Sequence, residues 1–224
     1  MESTPYSVTI PQGTTVSASL LRPADARLIY VLGHGAGAGM RHPFMEAVAK
    51  KLGVRGIATF RYQFPYMEAG RRSPDTQGVL ELTTRAAVAA AAHHVPELPM
   101  VAGGKSLGGR ISSHVAATDP PLRLRGLIFL GFPLHAPKRP DTKRAEHLGR
   151  VAVPMLFLQG SRDDLADLDL LVPIVRRLGV NATLHVVEGG DHSFNVPKRS
   201  GRTFEEVLEE ISDAISIWTE RLMT

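Results

Sequence analysis

The chain contains no cysteine in its 224 residues. That absence excludes disulfides, thiolate metal ligands and a cysteine nucleophile, and it fits a cytoplasmic protein. No apolar run approaches the ~20 residues a helix needs to cross a bilayer, so no membrane partner is expected. Residues 1–21 open with Glu2 and lack the cationic start and apolar stretch of a secretory signal, so none is expected. Repeats and low-complexity tracts are also missing, and a chain of this length reads as a single domain, residues 1–224. The formal net charge of +4 is spread along the chain, its densest group being Lys138, Arg139, Lys143 and Arg144. No aromatic platform or nucleic-acid motif accompanies that group, which reads as a solvated loop and not as a nucleic-acid surface.

What the chain does have is a cluster of glycines around one serine, Val-Ala-Gly-Gly-Lys-Ser-Leu-Gly-Gly-Arg at positions 101–110. Gly104, Ser106 and Gly108 fit Gly-x-Ser-x-Gly, the pattern of a serine held on a tight strand-to-helix turn, where neighbours without Cβ let backbone and substrate approach. Gly104-Lys105-Ser106 also matches the end of a Walker loop, but the glycine required five positions before Gly104 is Pro99, which has no N–H for a phosphate. A second glycine run, Gly33 to Gly39, begins like a dinucleotide loop. Its full spacing fails at Ala38 counted from Gly33 and at Met40 counted from Gly35, so a nicotinamide cofactor is not expected.

Strand and helix patterns alternate along the chain. Residues 7–10 and 16–21 read as two antiparallel edge strands around the turn Pro11-Gln12-Gly13. The apolar run at 28–32 reads as a strand covered on both faces, 100–102 as a buried strand, and 57–62, 126–130, 155–158 and 183–187 as further strands. Helices are expected at 44–52, 76–94, 111–117 and 168–178, and a turn at Asp119-Pro120-Pro121. Thr203 and Glu206 form a capping box for a closing helix whose apolar stripe runs Phe204, Val207, Leu208, Ile211, Ile215, Trp218 and Leu222. Two long loops, 63–75 and 131–150, interrupt the alternation. The whole predicts an α/β fold with a mostly parallel sheet and helices on both faces.

A serine hydroxyl needs a base within hydrogen-bond reach and a carboxylate to orient that base. With the chain order serine, acid, histidine, an acid near Asp163 leaves His185 and His192 as candidate bases among nine histidines. His185 falls inside an expected strand, whereas His192 lies just past its end among glycines, and is preferred. Asp163, three residues beyond Gly160, is the preferred acid, with Asp164 as the alternative; Asp167 is assigned to a helix cap and Asp191 points away from its neighbour His192. Leu107, after the serine, and Ala36, in His34-Gly35-Ala36-Gly37, are the expected oxyanion-hole N–H donors.

Together these segments resemble an α/β-hydrolase, and within that superfamily the small dienelactone-hydrolase-like proteins whose animal relatives include a testis-expressed hydrolase-like protein and a subunit of a histone-acetylating complex. The residues that carry the resemblance are His34-Gly35-Ala36-Gly37, Phe64-Pro65-Tyr66, Gly103 to Arg110, Gly131-Phe132-Pro133-Leu134-His135, Gln159-Gly160-Ser161-Arg162-Asp163 and Gly190-Asp191-His192-Ser193. It implies an eight-stranded sheet with an antiparallel second strand, a triad of Ser106, Asp163 and His192, and neither metal nor organic cofactor. Dienelactone hydrolases proper use a cysteine nucleophile, so their substrate does not transfer.

The segment 131–150 is too short for a helical cap, which predicts an open, shallow site. Phe64, Tyr66 and Phe132 are expected to supply an apolar substrate wall, and Arg41, Arg71, Lys138 and Arg139 to favour anionic substrates. The expected activity is hydrolysis of a small carboxylic ester or thioester through an acyl-enzyme on Ser106. A non-catalytic interaction scaffold on the same fold, and a serine peptidase, are the alternatives.

Overall fold

The computed structural model describes residues 2–11, 13–118 and 122–223. The turn expected at Asp119-Pro120-Pro121 lies outside the described residues, as does Gln12 in the first turn. Eight strands form one sheet: β1 (Thr4–Thr9), β2 (Thr15–Leu21), β3 (Leu28–Gly33), β4 (Ile57–Tyr62), β5 (Met100–Lys105), β6 (Gly126–Leu130), β7 (Met155–Gly160) and β8 (Ala182–Val187), in the spatial order β1-β2-β4-β3-β5-β6-β7-β8. β2 is antiparallel to both its neighbours, and every pairing from β4 through β8 is parallel. This is the eight-stranded α/β-hydrolase architecture expected.

The central strands are buried on both faces, and alternation along each one feeds two cores. In β3, Leu28, Tyr30 and Leu32 join Phe44, Met45, Val48 and Leu52 of α1 (Pro43–Val54) and Val207, Leu208, Ile211 and Ile215 of α6 (Phe204–Arg221). Ile29 and Val31 face the opposite core, under α3 (Gln77–His94), α4 (Leu107–Ala116) and α5 (Leu168–Leu178). The capping box at Thr203 and Glu206 forms as expected. Lys51 of α1 and Arg55, which caps its end, bridge to Glu205, Glu209 and Asp213, fixing α1 against α6.

The loop 63–75 holds a one-turn helix, α2 (Pro65–Glu68), and the loop 131–150 ends in a 3₁₀ turn, Lys143–Arg150. Among the described residues neither builds a cap domain. With the parallel strands aligned, the loops leaving β3, β5, β7 and β8 all emerge at the carboxyl edge of the sheet, where a doubly covered sheet presents its binding residues.

Candidate active site

Ser106 sits between the last residue of β5 and the first of α4, with φ +48° and ψ −108°. That is a strained backbone for a residue with a Cβ, and it turns Oγ out of the strand-to-helix corner. Its own N–H donates to the Leu130 carbonyl at 3.1 Å, which ties the corner to β6.

His192, in the loop after β8, places Nε2 2.9 Å from Ser106 Oγ, and its Nδ1 lies 2.7 Å from Asp163 Oδ2. The Asp163 side chain is wholly buried. Its Oδ1 accepts from the Leu165 N–H at 2.8 Å, and Oδ2 also accepts from Gln159 Nε2 at 2.5 Å. Donors on both oxygens hold the carboxylate in one orientation. It fixes the proton on Nδ1 and leaves the Nε2 lone pair facing the serine hydroxyl.

The structure thus brings Ser106, Asp163 and His192 together. Asp164 is exposed, Asp167 caps α5 through the Asp169 N–H, and Asp191 closes a turn on the N–H groups of Ser193 and Asn195. His185 pairs with Glu210 at 2.8 Å, away from the serine.

On the other side of Ser106, a Cβ built on Gly35 would lie 3.7 Å from Ser106 Cβ. Ala36 follows in an exposed turn. Leu107 opens α4, where an N–H has no carbonyl partner within the helix. The Gly35 turn is held by His34, whose Nδ1–H donates to the Gly35 carbonyl at 2.8 Å while Nε2 accepts from the Phe64 N–H at 3.0 Å. Burial lowers the His34 pKa to about 4, so the ring is neutral and its two hydrogen bonds define the tautomer. Gln159 plays a similar bracing part, accepting from the Phe132 N–H at 2.9 Å as it donates to Asp163. Neither role was read from the sequence, where both residues appear only inside motifs.

A cavity of about 520 Å³ opens beside Ser106 and His192, walled by Phe44 and Met45 of α1, Leu165, and Phe204 at the start of α6. Phe64, Tyr66 and Phe132 do not line it, which corrects the expected substrate wall. All three are buried, with Phe64 edge-on to His34 at 4.8 Å and Phe132 against Phe129 at 5.3 Å. The His34 bond to the Phe64 backbone draws that segment beneath the Gly35 turn, and its rings fill the core over α3 and α4 instead. Nor do Arg41, Arg71, Lys138 and Arg139 reach the cavity; Arg71, for one, is bound to Asp75.

The alpha/beta hydrolase domain family matches residues 26–220, and the chain belongs to it. Its fold is similar to that of a dienelactone hydrolase from Anabaena variabilis (20% identity, 98% of this chain and 97% of that one, TM-score 0.78). It is also similar to a serine hydrolase without a lid from Xanthomonas campestris (20% identity, 97% and 95%, TM-score 0.74). A third similar structure is a cold-adapted esterase from an Arctic intertidal metagenomic library (21% identity, 96% and 92%, TM-score 0.69). Among the described residues no helix is long and apolar enough to cross a membrane, and no group of three or more His, Asp or Glu side chains could hold a metal ion.

Proposed function

We propose that the protein is a serine hydrolase acting on small carboxylic esters, with thioesters a close second, through an acyl-enzyme on Ser106. The observation that carries this reading is the continuous relay from Ser106 Oγ through His192 to Asp163, at 2.9 and 2.7 Å.

Ser106 Oγ attacks the substrate carbonyl carbon as His192 Nε2 takes the hydroxyl proton. Asp163 stays ionised and supports the imidazolium. The tetrahedral oxyanion faces the N–H groups of Leu107 and Ala36, each such donor contributing about 2.7–4 kcal/mol to the transition state. Collapse of that intermediate expels the alkoxide or thiolate, which takes the proton from His192. Water, deprotonated by His192, then attacks the acyl-Ser106 carbonyl and releases the acid. Phe44, Met45, Leu165 and Phe204 favour an apolar acyl or aryl group, since the cavity offers such a group burial.

The test is turnover of an activated aryl ester by the wild type and by Ser106→Ala. The variant is expected to lose on the order of 10⁶-fold in kcat, the scale of nucleophile loss in a comparable triad. Equal turnover by the two proteins would remove the proposal.

A further inference from the structure

Lys105, the residue before Ser106, turns its ammonium into the protein. Its Nζ donates to the backbone carbonyl of His192 at 2.6 Å and lies 5.6 Å from the centroid of the Phe194 ring. A Cβ built on Gly131, at the end of β6, would meet that Nζ at 3.1 Å and Asp163 Oδ2 at 3.5 Å. The missing side chain at Gly131 is therefore what leaves room for an ammonium and the buried carboxylate side by side. Phe194, under the ammonium, has φ +64° and stacks on Phe44 at 5.9 Å. A non-glycine residue in that conformation is held there by its surroundings.

The charged and titratable groups facing Lys105 from other elements are Asp163 after β7, and Asp191 and His192 after β8. Gly35 after β3 and Gly131 after β6 also border it, and contribute no charge. Burial lowers the ammonium pKa to about 8, opposed by Asp163 and Asp191. A cation placed here opposes folding, because an apolar side chain of similar length avoids the desolvation. What the ammonium touches is the segment that carries the imidazole and the carboxylate that orients it.

We infer that Lys105 is a positioning residue of this site: its ammonium holds the His192 backbone in register with Ser106. The catalytic consequence rests on the serine-hydrolase reading; the tether to the His192 carbonyl does not.

Lys105→Met removes both tether and charge, and Lys105→Gln keeps an N–H donor without the charge. Amide hydrogen exchange of residues 191–195 needs no substrate, and is expected to quicken about fivefold in Lys105→Met and less in Lys105→Gln. In ester turnover, Lys105→Met is expected to lose about tenfold in kcat with KM within about twofold, and Lys105→Gln to recover part of kcat. Neither variant is expected to melt below the wild type, whereas a merely structural lysine would lower the melting temperature when removed. Exchange at 191–195 unchanged in Lys105→Met overturns the inference, as does an unchanged kcat. Faster exchange in a protein that turns over no ester leaves the inference standing and removes the hydrolase reading instead.

Discussion

The backbones of Gly104 and Gly33 meet so closely across β5 and β3 that a Cβ on Gly104 would lie 2.1 Å from the Gly33 carbonyl oxygen. A Cβ on Gly108, the second residue of α4, would meet the same oxygen at 2.4 Å. The two glycines of Gly-x-Ser-x-Gly thus let strand and helix close on one carbonyl, and Ser106 is strained at the corner between them. Gly104→Ala and Gly108→Ala are each expected to lose more than ~3 kcal/mol of stability or to yield no folded protein. Gly149→Ala, where a Cβ meets nothing within 4 Å, is expected to stay within ~0.5 kcal/mol of the wild type by chemical denaturation.

The choice between adjacent aspartates has a kinetic signature. Asp163→Asn is expected to reduce kcat by about 10⁴-fold, because an amide in place of the carboxylate favours the wrong imidazole tautomer. Asp164→Asn, on an exposed side chain, is expected to change kcat less than twofold. Gln159→Leu leaves the Phe132 N–H unpaired and withdraws one donor from Asp163, and is expected to lower kcat about tenfold. Steady-state kinetics on one activated ester separates the three.

Two buried imidazoles make the fold sensitive to acid. Burial lowers His34 to about 4, and burial with nearby His114, Arg150 and Arg110 lowers His147 to about 3, both from the ordinary 6.5. Each folded-state pKa lies below the unfolded value, so the unfolded chain binds more protons as pH drops. Their contribution to stability is complete above pH 6.5 and is lost as pH falls towards 4. The expected loss between pH 6.5 and 4.5 is on the order of 2 kcal/mol per ring. Urea midpoints across that range check it, and His147→Gln, which removes one ring from its bond to Ser113, is expected to flatten the slope.

Phe204 is 39% exposed and overhangs the cavity, so it can be truncated with little harm to the core. Phe204→Ala is expected to lower kcat/KM for an ester of an apolar acid by about three- to tenfold, and to leave an acetyl ester nearly unchanged. Equal loss on both esters would place the acyl group elsewhere.

Most of the frame was legible in the sequence. The bounds of β4, β6 and α5 agree with those expected from the sequence, because continuous burial and end signals leave little freedom there. The grouping of Ser106, Asp163 and His192 followed from chain order and from the edge of a parallel sheet where loops collect. The substrate wall did not follow. Periodicity tells which stripe of a helix is apolar, but not where the stripe runs past the core, and so Phe204 read as core while it faces the cavity. Phe64, Tyr66 and Phe132 read as wall because they sit in loops, while His34 and Gln159 pin the Phe64 and Phe132 backbones over the core. Lys105 gave no signal either, since the direction of a long side chain next to the serine depends on the space left at Gly131.

Intact-mass and peptide-mass measurement after brief exposure to a fluorophosphonate tests the central claim most directly. One phosphonyl adduct is predicted, on the peptide containing Ser106, absent in Ser106→Ala and formed at least a hundredfold more slowly in His192→Ala. A folded wild type that takes up no adduct, or an adduct that persists in Ser106→Ala, would contradict it.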